Sequence, residues 1–81
     1  MARLVFLGRL EDLAGAAELE LEADTLAALL AGLSQGLREE TARGKVRFAV
    51  NGAVLPAAID PATVTLSEHD EVALLPPVSG G

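Results

Sequence analysis

The chain has 81 residues, a net charge of −6, no cysteine, and aromatic side chains only at Phe6 and Phe48. That length and composition allow one small domain with an aliphatic core, and they exclude disulfides, thiolate metal sites and a cysteine nucleophile. Its six basic residues (Arg3, Arg9, Arg38, Arg43, Lys45 and Arg47) are scattered, so no phosphate-tracking surface and no nucleic-acid partner are expected.

In chain order, Arg3-Leu-Val-Phe-Leu7 is an apolar run closed by Gly8, predicted as a strand buried on both faces. Arg9–Ala14 is too short for a stable helix and stops at Gly15, which predicts one helical turn. Ala17–Glu22 alternates strictly, with Ala17, Leu19 and Leu21 inward and Glu18, Glu20 and Glu22 in water. Asp24-Thr25 supplies an N-cap. After it, Leu26, Leu29, Leu30, Leu33 and Leu37 recur at helical spacing. A helix is predicted over about 25–35, with Gly36 as its stop, a frayed turn over 37–42 and a break at Gly44.

Val46, Phe48 and Val50 point inward from a further alternating strand, and Asn51-Gly52 is a strong hairpin turn. Residues 53–68, punctuated by Pro56 and Pro61, are predicted irregular with a short edge strand near Ala53–Leu55. Glu68–Glu71 is a polar turn, and Val72–Leu75 is the last strand. This order predicts an α+β β-grasp (ubiquitin-like) fold, a mixed sheet covered on one face by a single main helix. Its first and last strands would lie parallel at the sheet centre. The domain is expected over 1–75, with a flexible tail over 76–81.

One helix covers one face of a sheet. Alternation puts Leu4, Phe6, Val46, Phe48, Val50, Val72 and Leu74 on that side and sends Val5, Leu7, Ala49, Ala73 and Leu75 to the other. Contiguous apolar surface there is expected to be a partner site. An acidic surface favours solubility and steers the chain toward a basic partner.

The chain ends Leu74-Leu-Pro-Pro-Val-Ser-Gly-Gly81. Pro76 and Pro77 cannot continue a ladder and stiffen the exit. From Pro76 onward the tail can reach ~20 Å at ~3.3 Å per residue. Gly80 and Gly81 would pass through a tunnel too narrow for any Cβ, and what they deliver is a carboxylate. That group, with a pKa of ~3.5, is ionised and inert at neutral pH. Activation as a mixed anhydride with AMP, made from ATP, opens two routes: a sulfur donor yields a thiocarboxylate, and an amine yields an isopeptide. Neither route needs a side chain from this protein.

Asp70-Glu-Val-Ala-Leu-Leu-Pro-Pro-Val-Ser-Gly-Gly81 resembles the C-terminus of the small subunits of molybdopterin synthase, which belong to the bacterial sulfur-carrier family of ubiquitin-like proteins. The likeness extends over the whole chain in element order, but most of its specificity lies in Pro76–Gly81. Two departures stand out: close relatives often carry Phe near positions 7 and 75, where this chain has Leu, and the stretch from Asn51 to Asp70 is longer than usual.

The resemblance implies that Gly81 is the reacting residue. An adenylating enzyme of the ubiquitin-activating type would spend ATP on it, and a sulfurtransferase would make the thiocarboxylate. The large synthase subunit would admit Gly80, Ser79, Val78, Pro77 and Pro76, with Leu75 and Leu7 in contact. Sulfur would then pass to cyclic pyranopterin monophosphate in molybdenum cofactor biosynthesis, within a heterotetramer whose catalytic lysines belong to the large subunit. Carriers for thiamine or tRNA thiolation, and ubiquitin-like protein modifiers, also end in Gly-Gly and remain alternatives.

No bound cofactor, metal site or self-contained active site is expected. His69 lies in a turn with Glu68, Asp70 and Glu71, and four successive turn residues rarely converge on one ion. Ser79 has no base nearby in sequence. No apolar run approaches the ~18–20 residues that span a bilayer, and Met1-Ala-Arg3 enters a strand directly, with no signal-peptide pattern. A cytoplasmic protein without a membrane partner is therefore expected.

Overall fold

In a computed structural model the described residues are 1–43, 46–56 and 58–76. Strand β1 (Ala2–Phe6) buries Ala2, Leu4 and Phe6 on one face. The two-sided burial predicted for this run is not found: Arg3 and Leu7 are exposed and Val5 is half-buried, because all the helical cover lies on one side. Helix α1 (Arg9–Ala14) is the expected single turn, closed by Gly15 at φ 74. Strand β2 (Glu18–Leu21) keeps Glu18 and Glu20 in water as predicted. Ala17 and Leu19 were expected inside, yet both are exposed, Leu19 by 38%. They lie on or beside an edge strand, where the helical layer thins out.

Helix α2 (Leu26–Ala31) starts as the sequence indicates, with Thr25 Oγ1 accepting the Ala28 N–H at 3.1 Å. Its predicted end is corrected. The helix stops at Gly32, and a second helix, α3 (Gln35–Ala42), follows Ser34. Gly36 lies inside α3 instead of ending a helix. The leucine spacing concealed this corner, because Leu26, Leu29, Leu33 and Leu37 are all buried and the apolar period runs straight through it. Gly32 followed by Ser34, a residue type suited to an N-cap, was the available signal. The break predicted at Gly44 lies outside the described residues.

Strands β3 (Arg47–Val50) and β4 (Ala53–Val54) form a hairpin through Asn51 and Gly52, at φ 50 and 86. Positive φ at both central residues is what a type I′ turn requires. The irregular segment then makes a 3₁₀ turn at Pro61–Thr63, bridges Thr65 to Thr25, and buries Leu66. Strand β5 (Glu71–Leu75) completes a sheet ordered β2-β1-β5-β3-β4. β1 and β5 are parallel at its centre, and the other pairs are antiparallel. This is the predicted α+β β-grasp architecture, with its helical cover divided in two.

The end of the sheet where β1 and β5 begin is tied by Asn51 and Asp70. Asn51 Nδ2 donates to Asp70 Oδ1 at 2.9 Å, and Asn51 Oδ1 accepts the Glu71 N–H at 2.9 Å. Asp70 Oδ2 accepts the Ser67 N–H at 2.7 Å, and the Asp70 carbonyl accepts from Arg3 N–H at 2.9 Å. The Ser67 N–H first, then the Asn51 amide, hold the Asp70 carboxyl below its ordinary range. A depressed folded-state pKa gives stability that is present above the unfolded value and is lost as pH falls through the folded one.

Two expectations follow for stability. Leu29→Ala should cost about 2–5 kcal/mol, as a buried leucine truncation. Leu30→Ala should cost less, because Leu30, which the spacing also placed in the core, is half-buried. Equal losses in denaturant titrations would contradict this packing. Asp70→Ala should be less stable than wild type at pH 7, with the gap narrowing below about pH 4 as the wild-type carboxylate protonates. A gap that stayed constant through acid unfolding would remove the carboxylate from this account.

Candidate functional site

Strand register builds the open face. Val5 lies opposite Ala73, Ala73 opposite Ala49, and Ala49 opposite Val54, so one row crosses four strands. All four side chains are apolar. Glu18 continues the row on β2, opposite Val5, and marks its edge. The next row toward the strand ends holds Leu75, opposite Arg47. Alternation carries Leu7 to the same side, next to Leu75.

Exposure along this face is uneven. Leu7 is 41% and Val54 57% exposed, whereas Val5, Ala73 and Leu75 are half-buried. Ala49, expected in water, is only 6% exposed, its single methyl sunk between the cross-strand partners Ala73 and Val54. The face is thus a shallow apolar trough with Leu7 and Val54 standing at its sides. Sequence reading missed Val54, because a two-residue strand shows no alternation from which to assign a side.

The rim is charged. Arg3 reaches Glu18 at 3.8 Å, an exposed pair that adds little stability. Arg47 turns its guanidinium onto the Leu55 carbonyl at 3.1 Å, which holds its charge at the trough's edge.

The tail departs beside this trough. The Leu7 N–H donates to the Leu74 carbonyl at 3.3 Å, extending the β1–β5 pairing one step past the strand. Pro76, half-buried, follows directly and has no N–H with which to continue. Of the sequence-predicted site residues, Leu7, Leu75 and Pro76 are therefore brought together at one end of the sheet. Pro77, Val78, Ser79, Gly80 and Gly81 lie outside the described residues.

Nothing else described offers catalytic chemistry. His69 is exposed, and the depression it lines with Met1, Arg3, Glu20, Asp70 and Glu71 is at the opposite end of β1 and β5 from Pro76. No group of His, Asp and Glu able to hold a metal ion occurs among the described residues. No described helix is long and apolar enough to cross a membrane.

Comparisons with known proteins give the same architecture. The solution structure of small archaeal modifier protein 1 (SAMP1) from Methanosarcina acetivorans is similar at 23% identity and a TM-score of 0.78, over 99% of this chain and 95% of that one. SAMP1 from Haloferax volcanii is similar at 22% identity and a TM-score of 0.70, over 99% and 98% of the two chains. A chain of the complex of subunits 1 and 2 of the molybdopterin-converting factor from Helicobacter pylori 26695 is similar at 29% identity and a TM-score of 0.70, over 99% and 97%. No curated protein matches the chain. The ThiS family matches residues 4–81, nearly the whole length and including the terminal Gly-Gly. The chain therefore belongs to the ThiS family of ubiquitin-like sulfur carriers.

Proposed function

We propose that this chain is the sulfur-carrier subunit of a molybdopterin synthase, with residues 76–81 as its working tail. The observation that carries the reading is the convergence of Leu7, Leu75 and Pro76: an apolar trough for docking lies directly at the root of a tail ending in Gly-Gly. Similarity to a chain of the Helicobacter pylori subunit 1 and 2 complex supports a large-subunit partner. The Pro76-Pro77-Val78 sequence favours the molybdopterin type over carriers for thiamine or tRNA thiolation.

The chemistry balances without any side chain of this protein. The Gly81 carboxylate oxygen attacks the α-phosphorus of ATP on an activating enzyme, and pyrophosphate leaves. The terminal sulfur of a sulfurtransferase persulfide then displaces AMP at the acyl carbon. A thiol cleaves the resulting acyl disulfide, being itself oxidised to a disulfide and leaving a C-terminal thiocarboxylate. In the synthase that sulfur is transferred to cyclic pyranopterin monophosphate, and water restores the carboxylate. The large subunit supplies the catalytic groups, and this chain supplies reach and docking. If a lysine amine captured the same adenylate, the product would be an isopeptide and the chain a protein modifier.

Deleting Gly81 leaves Gly80 with an equally reactive carboxylate but shortens the tail by about 3.3 Å. Misplacement of even ~1 Å can cost two orders of magnitude in a positioned reaction. Folding and large-subunit binding should therefore survive the deletion while sulfur delivery collapses. The check is molybdopterin formation by reconstituted synthase given chemically prepared thiocarboxylate. Full turnover by the shortened chain would show that the reach supplied by Gly81 does not limit delivery.

Leu75→Glu tests the docking face. The new carboxylate would stand opposite Arg47, so the isolated domain should stay folded. Affinity for the large subunit should fall by about tenfold or more, equivalent to ~1.4 kcal/mol. Equal affinities in a titration would remove the trough from the interface.

A further inference from the structure

The junction between β1 and α1 contains one backbone position that only glycine accepts. Gly8 sits at φ 59 and ψ −137, a region that a side chain makes costly. A Cβ built there would lie 3.1 Å from Pro76 Cγ, 3.9 Å from its Cβ and 4.0 Å from its Cδ. The proline ring at the tail's root thus lies against the bare α-carbon of Gly8.

Gly8 is also held on both sides. Before it, the Leu7 N–H is bonded to Leu74. After it, Arg9 pairs with Glu40 of α3 at 3.3 Å, and Leu10 is completely buried. The Glu11 N–H donates to the Gly8 carbonyl at 3.2 Å. With its neighbours anchored in the sheet, in the core and to α3, Gly8 has little room to move. A group added there would displace Pro76 instead.

We infer that Gly8 is a positioning residue for the tail: its missing side chain forms the seat in which Pro76 rests, and the seat sets the direction in which residues 77–81 leave the fold. The consequence for sulfur delivery rests on the carrier reading above. Once the trough is docked on a partner, the root is the joint between a fixed domain and a terminus that must reach one reacting atom. Five residues beyond Pro76 span up to about 16 Å, so a small tilt at the joint becomes a large displacement at Gly81.

The chain has no cysteine, so Ser79→Cys takes a single nitroxide. Its paramagnetic broadening of backbone amides reports the tail's direction without any partner. The background with native Gly8 and Pro76 is expected to broaden one defined set of amides, and Gly8→Ala and Pro76→Ala should each change that set. Pro76→Ala leaves the Gly8 backbone unstrained and covers the case in which Gly8→Ala fails to fold. The same set in all backgrounds, or weak uniform broadening with native Gly8, overturns the seat. In reconstituted synthase with thiocarboxylated proteins and saturating large subunit, each single variant should lower the sulfur-transfer rate constant about tenfold. Gly8→Ala, which removes no docking side chain, should leave the Kd for the large subunit unchanged. The double variant should lose little more, as paired residues do, whereas additive losses would mean that the two act separately. The Gly81 deletion keeps the claims distinct. If it transfers sulfur at full rate, the reach requirement placed on the tail fails and the nitroxide pattern still decides the seat; if it is inactive while Gly8→Ala is normal, only the seat fails.

Discussion

Parallel pairing of β1 with β5 at the sheet centre brings the two ends of the folded domain together. Because the strands run the same way, the last residue of β5 lies beside the end of β1, and Pro76 comes to rest against Gly8 next to Leu7. An antiparallel pair would place the tail's root beside the start of β1. The side chains that fix this pairing are among the best buried: Leu4, Phe6, Val72 and Leu74 are each at most 1% exposed. The root of the tail is therefore carried by strands that are well anchored in the core.

One helical layer on a five-stranded sheet leaves one face of that sheet uncovered. On β2 the solution is a charged edge, Glu18 and Glu20, which also discourages unwanted strand pairing. The central strands do otherwise, presenting alanines and aliphatics in a shallow trough. Small side chains there let a partner approach the sheet closely, while Leu7 and Val54 offer larger apolar surface to bury. The charges at the rim orient an encounter more than they stabilise the fold.

Much of this was legible in the residues. Period-two alternation gave the core face of β1, β3 and β5, and Asn51-Gly52 gave the hairpin turn. Thr25 gave the start of α2, and Pro76 the end of the last strand. What stayed hidden had identifiable physical causes. The corner at Gly32 was masked because the leucine period continues through it. Leu19 alternates like a core residue but sits on an edge strand, and alternation does not report how far the helical cover extends. Leu66 belongs to a segment with no periodicity, and the Asn51–Asp70 ties join residues that no local pattern links. Gly8 reads as punctuation in the sequence; only the fold shows that Pro76 occupies the space a side chain would need.

The central claim is that Gly81 is a carrier terminus, activated and then loaded with sulfur. It is tested most directly by the intact mass of the full chain after incubation with ATP, a ubiquitin-activating-type adenylating enzyme, a sulfurtransferase and a sulfur source. The account requires a gain equal to replacing one oxygen by one sulfur, located to the C-terminal residue by fragmentation and abolished when ATP is withheld. An unchanged mass, or adducts of protein size alone, would contradict it.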